Sequence, residues 1–157
     1  MPDDVSGRRP TRGEALARLL MGSYATLTGT EIIPGVVSPQ TVAGLLYSAP
    51  FGLLAQDTSP DPLFVYANLT AQKLFGYSWD EFIGMPSRLS AGEQDRQARQ
   101  DFMDSVRRRG YADGYRGLRV AKSGRPFWIE KTTVWNIVGP ESEMVGQAAL
   151  IRHSAAA

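Results

Sequence analysis

A chain of 157 residues is one domain by length and long enough to bury a core, and its 43% hydrophobic and 21% charged content is ordinary for a globular protein. Its formal net charge of +1 gives no reason to expect nucleic acid or an anionic membrane as a partner. The absence of cysteine excludes disulfides, thiolate nucleophiles, cysteine-bound zinc and iron–sulfur clusters. No apolar run reaches membrane-span length, and the polar start, Met1 to Gly13, lacks the apolar core of a signal peptide, so a cytoplasmic protein is expected.

Residues 1–10 are polar with two prolines and read as disordered. Thr11 and Glu14 form a capping-box pattern opening a helix to about Leu27. Leu16, Leu19, Leu20 and Leu27 make its apolar stripe, with Ala15 and Tyr24 at the margins. This helix can pack on its own domain, pair with a second subunit, or do both. Thr28 to Gln40, with two prolines and two glycines, reads as a linker with extended pieces, and Thr41 to Ser48 as a short helix.

Phe51 to Ala55 is an apolar run of strand length, followed by a turn over Asp57 to Pro62 and a second strand over Pro62 to Tyr66. That strand runs into Asn68, whose side-chain oxygen can accept backbone N–H bonds and start a helix with Ala71, Leu74 and Phe75 on one face. Gly76 stops it. Ser78 and Glu81 are a capping box for another short helix, which Gly84-Met85-Pro86 ends. Ser90 and Glu93 repeat the pattern and are expected to open the longest internal helix, with Ala98, Phe102 and Val106 as its apolar face and Met103 beside them. Arg107-Arg108-Arg109 complement the dipole in its last turn and read as a solvated end rather than a phosphate site.

The last third reads as strand: Tyr115 to Ala121, Pro126 to Val138 and Met144 to Arg152. With the two earlier strands this predicts an α+β chain with a five-stranded antiparallel sheet, helices on one face and an N-terminal amphipathic helix. The other sheet face needs a partner.

The run Asn68, Ala71, Leu74-Phe75-Gly76-Tyr77-Ser78, Glu81 and Gly84, with the later Lys122-Ser-Gly-Arg-Pro-Phe-Trp128, resembles a PAS domain. More narrowly, Ala49-Pro-Phe51, Pro86-Ser-Arg-Leu-Ser90, Lys122-Ser-Gly124 and Thr133-Val-Trp-Asn136 resemble the MEKHLA family, a PAS-like group. The resemblance implies a PAS-like domain over 45–153, preceded by a start, helix and linker over 1–44 and followed by a tail over 154–157. It implies a sensory or interaction module without naming a ligand. No output domain is read in the chain, so the expected partners are a second copy of the chain and an unidentified output protein, with no nucleic acid and no membrane.

Two registers are open at the Lys122–Gly124 hairpin. A two-residue Ser123-Gly124 turn puts Leu118 and Val120 beside Phe127 and Ile129, an apolar face that the hydropathy pattern favours. A three-residue loop with glycine left-handed puts Arg119 there instead, as resemblance to flavin-binding PAS hairpins favours. An inward arginine would need an anionic ligand or a buried carboxylate. Arg88, between two short helices, faces either a cavity or the surface. Trp128 and Trp135 fall on opposite faces of a regular strand, whereas a bulge near Glu130-Lys131 puts both on the outer face.

The candidate ligand-binding residues are Arg88, Leu89, Phe102, Val106, Arg119 and Ile129. Without a cysteine in Pro86–Ala91, covalent flavin–cysteine photochemistry is excluded by the resemblance, while non-covalent flavin or another small organic ligand stays open. The expected long helix has no histidine to hold haem; the one histidine, His153, lies near the chain end. An enzyme is not expected, because no triad, P-loop or metal cluster assembles. A ligand-free dimerisation domain is the alternative.

Overall fold

Asn68 fixes the centre of the fold. Its Oδ1 accepts from the backbone N–H of Ala71 and of Leu53, both at 3.0 Å, and its Nδ2 donates to the carbonyls of Leu46 and Phe51, both at 2.9 Å. One fully buried side chain thus caps helix α3 (Leu69–Phe75) and ties it to helix α2 (Pro39–Tyr47) and the start of strand β1 (Gly52–Gln56). The computed structural model describes residues 14–35 and 39–157. The expected disordered start and the Thr11 cap of the first helix lie outside the described residues, as do residues 36–38 of the expected linker.

Helix α1 (Glu14–Thr28) and α2 precede β1, and β2 (Phe64–Ala67), α3 and α4 (Trp79–Phe82) follow it. Next come 3-10 turns at Ser87–Ser90 and Glu93–Asp95, then α5 (Arg96–Arg109) and strands β3 (Tyr111–Val120), β4 (Pro126–Val138), β5 (Met144–Ile151) and β6 (His153–Ala156). Asn68 and Ser78 cap their helices as expected, and Ser78 and Glu81 form the reciprocal box. The Ser90–Glu93 box does not form. Ser90 Oγ instead donates to the Ser87 carbonyl at 2.7 Å, and two 3-10 turns intervene before α5 begins at Arg96.

The antiparallel sheet runs β2-β1-β5-β4-β3, and β6 also pairs with β4. It has six strands rather than five. β4 is long enough for two partners in line, β5 along Thr133–Val138 and β6 along Phe127–Glu130, with the break at Arg152. Residues 154–157, read as a tail, therefore lie largely within β6. His153 is on that strand, with Nδ1 at 2.7 Å from the Glu130 carboxylate, which also accepts from Arg116.

Both sheet faces are covered. On the outer face Ala17, Leu20 and Tyr24 of α1 and Leu46 of α2 pack with Leu53, Trp135, Ile137 and Leu150. On the inner face Ala71, Phe75 and Phe82 pack with Leu54, Phe64, Phe127 and Ile129, while Met103 and Val106 of α5 meet Val134. The first helix thus packs on its own sheet, and the outer face, expected to need a partner, is covered by it.

The alternation switch in β4 has a visible cause. Lys131 takes φ 50, Gly114 on β3 takes φ 65, and the β3–β4 register shifts on either side of the Tyr115–Thr132 pair. These paired irregularities flip the parity of β4, so Phe127 and Ile129 face inward before the bulge and Val134 and Asn136 after it. Trp128 and Trp135 both end on the outer face. Trp135 is fully buried against Tyr24, ring centroids 4.9 Å apart, and Trp128 lies under the Arg116 guanidinium at 3.6 Å.

The β3–β4 loop takes the three-residue form. Ala121 N–H donates to the Arg125 carbonyl at 3.0 Å and Gly124 has φ 91. Arg119 consequently pairs with Phe127 across the hairpin and faces inward, against the register that the apolar pattern favours. Since nothing crowds the Gly124 Cβ position, Gly124→Ala carries only the left-handed backbone cost. Unfolding in urea should show a loss of about 1–2 kcal/mol. An unchanged midpoint would mean that residue 124 is not held in the left-handed region.

Candidate ligand-binding site

The inward register of Arg119 brings it to a cavity of about 30 Å³ between the inner sheet face and α5, room for about two water molecules. Leu54, Phe64, Ile129 and Val134 supply apolar walls, with Met103 and Arg99 from α5. Arg99 was not foreseen. Helix α5 buries Arg99, Met103 and Val106, whereas Ala98, expected on the apolar face, is exposed. The buried stripe is rotated by one position, and a cation sits on it.

Both guanidiniums are almost sealed from solvent, Arg99 being 7% and Arg119 6% exposed. Arg99 Nη2 donates to Gln56 Oε1 at 3.0 Å, and its Nε has no partner. Arg119 Nη1 donates to the Leu118 carbonyl at 2.9 Å, and both of its terminal nitrogens stand 3.4 Å from Tyr115 Oη. No carboxylate lines the cavity, and neither arginine forms an ion pair among the described residues. Burial, and then the charge of Arg119, pulls the Arg99 guanidinium down to about 9, which still leaves it charged at neutral pH.

Three amides form a row beside these cations. Gln56 pairs with Gln147 across β1–β5, and Gln147 with Asn136 across β5–β4. Gln56 Nε2 donates to Gln147 Oε1 at 3.3 Å, while Gln147 Nε2 donates to Asn136 Oδ1 at 3.2 Å and to the Met103 carbonyl at 3.0 Å. Asn136 Nδ2 reaches the Arg107 carbonyl at 3.1 Å. The row joins three strands to two turns of α5. Gly146 permits it, since a Cβ there would lie 2.2 Å from the Gln56 carbonyl oxygen.

Of the six expected site residues, the structure brings Arg119 and Ile129 to the cavity. Arg88 is instead half exposed and paired with Asp61 at 3.1 Å, because the 3-10 turn carrying it points the side chain outward. Leu89 is half-buried on the same turn and does not line the cavity. Phe102 stacks on Tyr115 with centroids 3.7 Å apart, and Val106 is buried against Met103 and Val134. These two form the wall behind the cavity rather than its lining.

A flavin does not fit this cavity. Pockets for drug-sized ligands hold roughly 300–1,000 Å³, against about 30 Å³ here. Among the described residues no cluster of His, Asp or Glu could hold a metal ion, and no helix is long and apolar enough to cross a membrane.

The family model of the MEKHLA domain matches residues 14–155, from α1 into β6. No curated protein matches the chain. Among solved structures, the PAS domain of a protein from Colwellia psychrerythraea is similar at 22% identity and TM-score 0.62, over 71% of this chain and 92% of that one. A light-oxygen-voltage domain from work on a flavin analogue is similar at 22% identity and TM-score 0.59, over 74% and 84%. An RNA-binding light-oxygen-voltage receptor is similar at 20% identity and TM-score 0.63, over 77% of this chain but 34% of the receptor. At these identities the likeness establishes the PAS fold.

Proposed function

The chain belongs to the MEKHLA-domain family, and we propose that it is a sensory module that binds a small molecule non-covalently between α5 and the inner sheet face. It acts by binding rather than catalysis, in the cytoplasm. The observation that carries this reading is the polarity of the cavity: two buried guanidiniums, one with an orphaned Nε, converge on a space whose other lining is apolar side chains with Ser90, Gln56 and Gln147. Buried charge left partly unpaired costs stability and marks functional sites.

The route outward runs through β4. Asn136 holds the inner amide row, while its neighbour Trp135 faces α1 and packs on Tyr24. A ligand that moves α5 or Gln147 therefore acts on the strand that seats α1, and the signal leaves as a change in α1 packing, read by a second copy of the chain or by an output protein. Mass spectrometry on the purified protein, native and then denatured, with an absorbance spectrum of the same sample, tests this. A released small molecule is the expected result. A clean apo mass on a dimer would favour the ligand-free interaction module, which the small cavity volume also fits.

A further inference from the structure

We infer that the ligand is a small organic monocarboxylate, its oxyanion held between Arg99 and Arg119 and its body against the apolar walls. This rests on the small-molecule reading above and adds the ligand's charge and shape. Gln147 commits both amide hydrogens, to Asn136 and to the Met103 carbonyl, and its Oε1 accepts from Gln56. Gln56 Oε1 accepts from Arg99. The amide row is thus largely satisfied within the protein and offers little to a neutral polar ligand.

The unmet groups are cationic donors. Each guanidinium has five N–H donors in a fixed fork that matches a planar carboxylate. Arg99 has one hydrogen bond, and Arg119 has one short bond and two long ones. The charge of Arg119 adds to the cost of burying Arg99. A single oxyanion between them meets their donors and relieves the repulsion together.

Size decides among anions. The space corresponds to about two water molecules, close to a carboxylate head and small for a tetrahedral phosphate with its hydration. The flexible thioether of Met103 is the wall that can yield to a short aliphatic body.

The test uses the full chain and three probes at constant ionic strength: propionate, its neutral isostere propionamide, and inorganic phosphate. Calorimetric titration should show saturable binding of propionate and none of propionamide. Arg119→Met and Arg99→Met should each weaken propionate by about tenfold to a hundredfold, while Arg88→Met, at the exposed Asp61 pair, should leave it unchanged. In the wild-type chain the Arg99 Nε–H resonance should shift on titration with propionate, a readout that does not depend on any variant folding.

Propionamide binding as tightly as propionate, or phosphate binding in its place, would overturn the carboxylate assignment. So would an Arg99 Nε–H signal that stays still. A neutral molecule released in the mass spectrum would overturn it too, while leaving the small-molecule reading intact. No binding of any probe together with a clean apo mass would overturn both.

Discussion

Arg99→Met is expected to stabilise the ligand-free protein by about 1–3 kcal/mol. Replacing even a buried ion pair by apolar side chains of similar volume is often neutral or stabilising by about 1–4 kcal/mol, and Arg99 has no counter-ion to lose among the described residues. Against this, Gln56 Oε1 loses its donor, which costs on the order of 1 kcal/mol. The gain wins because Arg99 faces another cation rather than a carboxylate and leaves its Nε without a partner. For a chain of this size the change should appear as a rise in Tm of about 2–4 °C per kcal/mol, with a matching shift of the urea midpoint. A variant less stable than wild type would mean that the guanidinium is well satisfied where it stands. Stability given up at one position and kept elsewhere is what a binding site is expected to look like.

Asn68→Ala should be the most damaging single change outside the apolar core, costing about 3–5 kcal/mol. Four backbone groups, on Leu46, Phe51, Leu53 and Ala71, lose this partner at once, three of the bonds being buried, and among the described residues only the Leu46 carbonyl keeps another donor, Ala49 N–H. Each orphan costs about 1–3 kcal/mol, reduced where water enters the space left behind. Asn68→Asp separates two explanations. If the residue served only as a helix cap, aspartate would restore stability, since it is as good at that position. Because Nδ2 also donates to two carbonyls, a buried carboxylate facing them should remain destabilising by more than 2 kcal/mol, on the order of two lost hydrogen bonds. Full rescue by aspartate, seen by thermal or urea unfolding, would reduce Asn68 to a cap.

Local chemistry made much of the fold legible. Asn68, Gly76 and the Ser78–Glu81 box announce α3 and α4 because capping depends on neighbours in sequence. The apolar strands were readable for the same reason. The site was less so, because its key residue breaks hydropathy. The face Ala98, Phe102 and Val106 is the one periodicity selects, and nothing in hydropathy prefers Arg99 to Ala98 for burial. A signal did exist: Arg99 shares a helical face with Met103 and Val106, so an arginine in that stripe marks a cation aimed at the core. Gln56 and Gln147 also lay in view, on the same parity as inward Leu54 and Ala149, but an amide on a strand does not by itself tell which partner it meets. The hairpin register depends on one glycine's φ, which hydropathy does not report. The sixth strand was hidden because its pairing uses the far half of β4, whose length alone does not name two partners.

The anchoring of α1 also orders the folding of the chain. Ser23 Oγ accepts from Val138 N–H across 115 positions, and Tyr24 Oη accepts from Arg152 across 128. Helix α2, next in the chain, can cover part of α1 early, but the seat of α1 on the sheet is complete only after Val138 and Arg152 have been made. Until then the part of its leucine stripe that α2 leaves uncovered is open to whatever is near, including the same stripe on a neighbouring nascent chain. Contacts this remote in sequence slow folding and lengthen the exposure of apolar surface. Retention of α1 beside its own sheet therefore rests on contacts that a chain still being made cannot yet form.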